Sequence, residues 1–136
     1  MAVQTVVVVD DDELDRYIFR RILKATGRDI KLVEYSAGDH FLDVVTDQER
    51  SSAELGQTPP SILVFLDINM PRMTGLEVLE AIEQKIADDQ MVIVTMYSSS
   101  NHGQDREDAM QYSFVKDFVV KPLSQERFLE LVDSVA

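Results

Sequence analysis

Four strand-like runs in this 136-residue chain end on side chains able to do chemistry. Thr5–Val9 runs into Asp10-Asp11-Asp12, Ile62–Leu66 into Asp67, Met91–Thr95 closes on Thr95, and Asp117–Val120 leads into Lys121-Pro122. Carboxylates brought together repel one another, and a hard divalent cation bound through oxygen offsets that repulsion, Mg²⁺ with several waters being the natural occupant. A lysine point charge and a threonine hydroxyl beside an open coordination position suit a tetrahedral oxyanion such as phosphate. The set reads as a site for phosphoryl transfer to or from a carboxylate, a nucleophile whose acyl phosphate is labile.

The elements that must position these residues follow from periodicity. A fifth run, Ile30–Tyr35, joins the other four at fairly even spacing. Each reads as a strand buried on both faces, because parallel strands lose polar alternation. Helical spacing fills the gaps. The first helix carries an apolar stripe of Leu14, Tyr17, Ile18, Ile22 and Ala25, a basic stripe of Arg16, Arg20, Lys24 and Arg28, and a C-terminal cap at Gly27. Further helices are expected over Ala37–Gln48, Gly75–Ala87, His102–Tyr112 and Gln125–Val135, the last capped by Ser124, with Glu49–Pro60 as a surface loop. Strand alternating with helix five times over means an α/β fold, a parallel sheet with helices on both faces and right-handed crossovers. In such a sheet, sites form beyond the carboxyl ends of the strands, where the four groups lie.

Composition narrows the classes. With no cysteine, disulfides, zinc-thiolate sites and thiol nucleophiles are absent. The balance of 13 Lys+Arg against 25 Asp+Glu, a net charge of −12, argues against binding nucleic-acid phosphates. No apolar run approaches the roughly 20 residues a bilayer requires, so a cytoplasmic protein away from the membrane is expected. The length accommodates one domain, residues 1–136, with no room for an output domain.

The motifs V-V-V-V-D-D-D (Val6–Asp12), F-L-D-I-N-M-P-R-M-T-G (Phe65–Gly75), V-I-V-T-M (Val92–Met96) and F-V-V-K-P-L (Phe118–Leu123), in this order, resemble the response-regulator receiver domain of two-component signalling. The resemblance implies the doubly wound five-stranded order 2-1-3-4-5, with Asp67 as phosphoacceptor. It also implies that Asp10, Asp11, Asp67 and the backbone carbonyl of Asn69 hold Mg²⁺. Lys121 and Thr95 would contact the phosphoryl group, Phe118 would be the aromatic switch residue, and Pro122 matches the family's cis-bonded proline. The implied partners are a sensor histidine kinase or histidine phosphotransfer domain and a downstream protein target. The output surface would be the fourth helix, fifth strand and fifth helix. The basic stripe of the first helix is a solvated face or, as in the family, a face that docks on kinases.

The chain departs from the family pattern at Thr74, where Asp commonly precedes the glycine, and at Phe114 and Val115, where Gly-Ala is common. Asn69 and Tyr97 occupy positions that tune dephosphorylation rate in the family. Taken singly, each site residue has an ordinary structural explanation: Asp10–Glu13 as an acidic helix start, Asp67 as a turn residue, Thr95 and Phe118 as strand and core, Lys121 as a loop lysine. A haloacid-dehalogenase-like phosphatase combines similar groups, but its nucleophile sits on the first strand in an Asp-x-Asp pattern. A receiver-like interaction module indifferent to phosphate is a third reading.

Overall fold

The computed structural model describes residues 3–56, 62–86, 92–99 and 103–134. Five parallel strands, β1 (Thr5–Val9), β2 (Lys31–Tyr35), β3 (Ile62–Leu66), β4 (Ile93–Ser98) and β5 (Val115–Val120), lie in the order β2-β1-β3-β4-β5. Among the described residues six helices accompany them: α1 (Glu13–Thr26), α2 (Gly38–Val45), α3 (Gln48–Leu55), α4 (Gly75–Lys85), α5 (Gly103–Met110) and α6 (Gln125–Ser134). The α/β architecture and strand order agree with the sequence expectation.

Alternate strand residues feed two cores. Val7, Val9, Val64, Leu66, Val94 and Met96 face α2, α4 and α5, while Val6, Val8, Leu63, Phe65, Tyr97 and Val119 face α1 and α6. The second core centres on an aromatic cluster, with Phe19 edge-on to Phe65 at 4.8 Å and Phe65 stacked on Phe128 at 5.8 Å. Such pairs contribute about 0.5–1.5 kcal/mol each beyond the area they bury.

Several boundaries differ from the sequence expectation. The β2 strand sits at the sheet edge and is only partly buried, so double-sided burial holds for the inner strands alone. The β4 strand continues past Thr95 to Ser98, placing Thr95 inside the strand rather than beyond it. The helix expected over Ala37–Gln48 stops at Val45, and much of the expected loop is α3, started by Asp47, whose side chain accepts from the backbone N–H groups of Glu49 and Arg50. His102 and Val135 lie outside the described residues. The apolar stripe of α1 also turns out differently, because Leu14, Tyr17 and Ile18 are exposed and Phe19 and Leu23 are the buried residues. The Phe19 ring packs edge-on against Phe65 and Phe128, and this contact goes with the observed rotation of the helix.

The β3–α4 connection is tight. Thr74 and Glu77 form a capping box, the Thr74 hydroxyl accepting from the Glu77 N–H and the Glu77 carboxylate accepting from the Thr74 N–H. The Gly75 N–H donates to the Ile68 carbonyl at 2.8 Å, and a Cβ at Gly75 would collide with the Asp67 carbonyl and lie 2.9 Å from the Ile68 Cα. Both obstacles are backbone. Gly75→Ala therefore lowers the unfolding free energy by about 1–3 kcal/mol, as overpacking does elsewhere, measured by urea titration; an unchanged midpoint would show that α4 shifts without cost.

Candidate functional site

The sheet brings the acidic residues together by register. Val9 of β1 pairs with Leu66 of β3, so the next residues, Asp10 and Asp67, emerge side by side. Each is anchored by its backbone: the Asp10 N–H donates to the Tyr35 carbonyl at 3.0 Å and the Asp67 N–H to the Val9 carbonyl at 2.9 Å. Asp11 completes a group of three carboxylates, each offering an oxygen within 4.8 Å of the others. Asp10 and Asp67 are buried and Asp11 is exposed. Asp12, next along, accepts from the Leu14 and Asp15 N–H groups as the N-cap of α1 and so belongs to the helix start.

Lys121 enters from two strands away. Its N–H donates to the Ser98 carbonyl, the Lys121–Pro122 bond is cis, and the ammonium passes 4.8 Å from the Tyr97 ring centroid. Nζ donates to Asp10 Oδ2 at 2.7 Å and Asp15 Oδ2 at 2.8 Å, and lies 3.6 Å from Asp67 Oδ1. Burial alone would lower the Lys121 pKa, but the hydrogen bonds to Asp10 and Asp15 and the Asp67 charge hold it above the ordinary value. Asp67 moves up to about 7, chiefly through burial, with Asp10 and Asp11 adding repulsion and Lys121 opposing. Asp10 is also raised by burial, against hydrogen bonds from Lys121 and the Asp12 N–H. Three close oxygen donors with unbalanced negative charge fit a hard divalent cation.

The remaining residues singled out in the sequence occupy the surroundings. Thr95 is buried and pairs with Phe65, two residues before Asp67. Asn69 is exposed just past the β3 end. Phe118 is buried in the core facing α5, with the Arg106 guanidinium 5.6 Å from its ring centroid. Phe114 and Val115 also point into that core, Phe114 against the Tyr112 ring, so their bulk fills the interior. The basic stripe of α1 is largely engaged: Arg16 donates to the Asp10 carbonyl, Arg20 forms a two-pronged pair with Glu34, and Arg28 another with Asp133. Sequence reasoning did not connect Asp15 with Lys121. The available signal was its spacing, since Asp15, Phe19 and Leu23 lie at i, i+4 and i+8 on one face.

The family model described as the response regulator receiver domain matches residues 6–133. The two-component response regulator ARR3 of Arabidopsis thaliana is 29% identical over 119 residues, covering 87% of this chain and 49% of that protein, so the chain spans about half its length. The polar-differentiation response regulator DivK of Brucella ovis is 23% identical over 133 residues, covering 96% of this chain and 94% of DivK. Among solved structures, a two-component response regulator from Cytophaga hutchinsonii superposes with a TM-score of 0.83 at 24% identity, covering 99% of this chain and 98% of that one.

The raised Asp67 pKa carries a stability consequence. A carboxyl held above its ordinary value of 3.8 contributes most below that value, and the contribution is lost as pH rises through about 7. In chelator, Asp67→Asn is therefore more stable than the parent by about 2 kcal/mol near pH 8, and the difference closes toward pH 4. Urea unfolding across that range checks it; parallel pH profiles for the two proteins would refute it.

Proposed function

The chain belongs to the response regulator receiver domain family, and from that premise we propose that it is a phosphorylation-operated switch whose phosphoacceptor is Asp67. The carrying observation is the convergence of Asp67 with Asp10, Asp11 and Lys121 at the carboxyl ends of β1, β3 and β5. Receiver domains are signalling switches that bind a divalent metal at their Asp cluster and work with histidine kinases, phosphotransfer proteins and downstream targets. Here Asp10, Asp11 and Asp67 would hold Mg²⁺ with the Asn69 carbonyl, and the ion when bound supplies charge neutralisation for an incoming phosphoryl group.

In the proposed reaction an Asp67 carboxylate oxygen attacks the phosphorus of a phosphohistidine on a sensor kinase or phosphotransfer domain. The O–P bond forms as the P–N bond breaks, and the imidazole leaves. Lys121 pairs with the phosphoryl oxygens, and Thr95, on the neighbouring strand, donates its hydroxyl. The phosphoryl group adds about −1.5 to −2 charge, which pulls on these two donors and biases the surface formed by α5, β5 and α6, through Phe118, toward one of two states. Output passes by protein contact to a downstream target, with residues 1–136 acting as one receiver unit in the cytoplasm. No helix among the described residues is long and apolar enough to cross a membrane.

Incubation with a small-molecule phosphodonor or a phosphorylated histidine kinase tests this reading. Mg²⁺-dependent label should appear on the parent, disappear with chelator, and fall to background in Asp67→Asn. Undiminished labelling of that variant would assign the acceptor elsewhere.

A further inference from the structure

The Lys121 ammonium is gripped from two sides. One grip is Asp10, a member of the carboxylate trio; the other is Asp15, which stands outside the trio and arrives on a different element, the first turn of α1. Nζ lies 2.8 Å from Asp15 Oδ2 and 3.6 Å from Asp67 Oδ1, so the ammonium sits closer to α1 than to Asp67. The Tyr97 ring, 4.8 Å away, lines the path of the side chain. The Lys121 and Asp15 side chains are 11% and 27% exposed, which places the pair between the screened surface and the interior.

We propose that Asp15 is a positioning residue that holds the Lys121 ammonium on the α1 side of the crevice, so that a phosphoryl group on Asp67 must compete with Asp15 for it. The inference rests on Asp67 being the phosphoacceptor. An ammonium offers three N–H donors. Asp10 and Asp15 each accept one at short range, and bringing Lys121 onto a phosphoryl oxygen stretches the Asp15 pair first, because Asp10 emerges beside Asp67 and Asp15 does not. Asp15 therefore favours the unphosphorylated arrangement. A phosphoryl group, with its double charge, overcomes it and releases the α1 contact in doing so.

The test uses the intact chain with saturating Mg²⁺ and beryllofluoride as the phosphoryl mimic, bound fluoride being followed by ¹⁹F NMR. Asp15→Asn keeps the shape of the side chain and removes its charge; it binds the mimic about fivefold more tightly, the scale of losing one partly screened ion pair. Asp15→Ala shifts binding in the same direction, and Asp15→Glu, which retains the charge, stays within about twofold of the parent. Glu13→Gln removes an equal charge from an exposed side chain of the same helix turn without touching Lys121, and leaves the affinity unchanged. Unchanged or weaker binding by Asp15→Asn overturns the inference, as does equal tightening by Glu13→Gln, which would reduce the effect to net charge. A parent chain that binds no beryllofluoride overturns the phosphoacceptor reading instead.

Discussion

Three carboxylates facing one ammonium is the constraint from which the rest of this structure follows. With oxygens no more than 4.8 Å apart and an effective dielectric near 20, each pair of charged carboxylates repels by about 3.5 kcal/mol or more. Lys121 offsets part of this, and burial, with the repulsion from Asp10 and Asp11 added, raises the Asp67 pKa to about 7. The two buried carboxylates and the ammonium are held by contacts other than their own charge. Asp10 and Asp67 are tied into the sheet by backbone hydrogen bonds to Tyr35 and Val9. Lys121 is tied through its backbone to Ser98, and the Arg16 guanidinium closes on the Asp10 carbonyl from the helix side.

The chemistry was legible in the sequence because of topology. In a parallel sheet every strand delivers its last residues to the same rim, so the groups just past β1, β3 and β5 converge without any knowledge of their distances, while Thr95 lies inside β4. The strand order was legible from the motif resemblance. The elements that escaped were those whose placement depends on packing partners. Gln48–Leu55 has a weakly apolar face and buries only Leu55, so its helix is visible mainly through the Asp47 cap. The edge position of β2 leaves no trace in Lys31–Tyr35 beyond its two charged residues. The extension of β4 through Ser98 is set by pairing with β5, Tyr97 opposite Val119 and Ser98 opposite Val120, which local propensity does not encode.

Thr74 shows why a departure from a family pattern need not be a loss. The position before Gly75 serves as a helix N-cap, and Ser, Thr, Asp and Asn are near-equivalent there because each offers an oxygen to the first-turn N–H groups. With Glu77 answering Thr74, the capping box supplies two reciprocal bonds. Gly75 has no such substitutes, since its constraint is backbone proximity to Asp67 rather than hydrogen bonding. That close approach packs the start of α4 directly against the backbone that carries Asp67 out of β3.

The rotation of α1 shows how far a core contact reaches. At 3.6 residues per turn, Asp15, Phe19 and Leu23 share a face. Burying Phe19 among Phe65, Tyr97 and Phe128 turns that face toward the sheet and carries Asp15 to the crevice end of the helix. Had the stripe of Leu14, Ile18 and Ile22 packed inward, Asp15 would have swung about 100° away, one residue's rotation. Its pair with Lys121 could then not form. The helix is held in the observed rotation from outside as well, by Arg16 and Arg20 on Glu34 and by Arg28 on Asp133. The exposed Leu14, Tyr17 and Ile18 are the cost of this choice. An aromatic contact in the core thus decides which carboxylate reaches the ammonium at the rim, linking the packing of α1 to the electrostatics of the site.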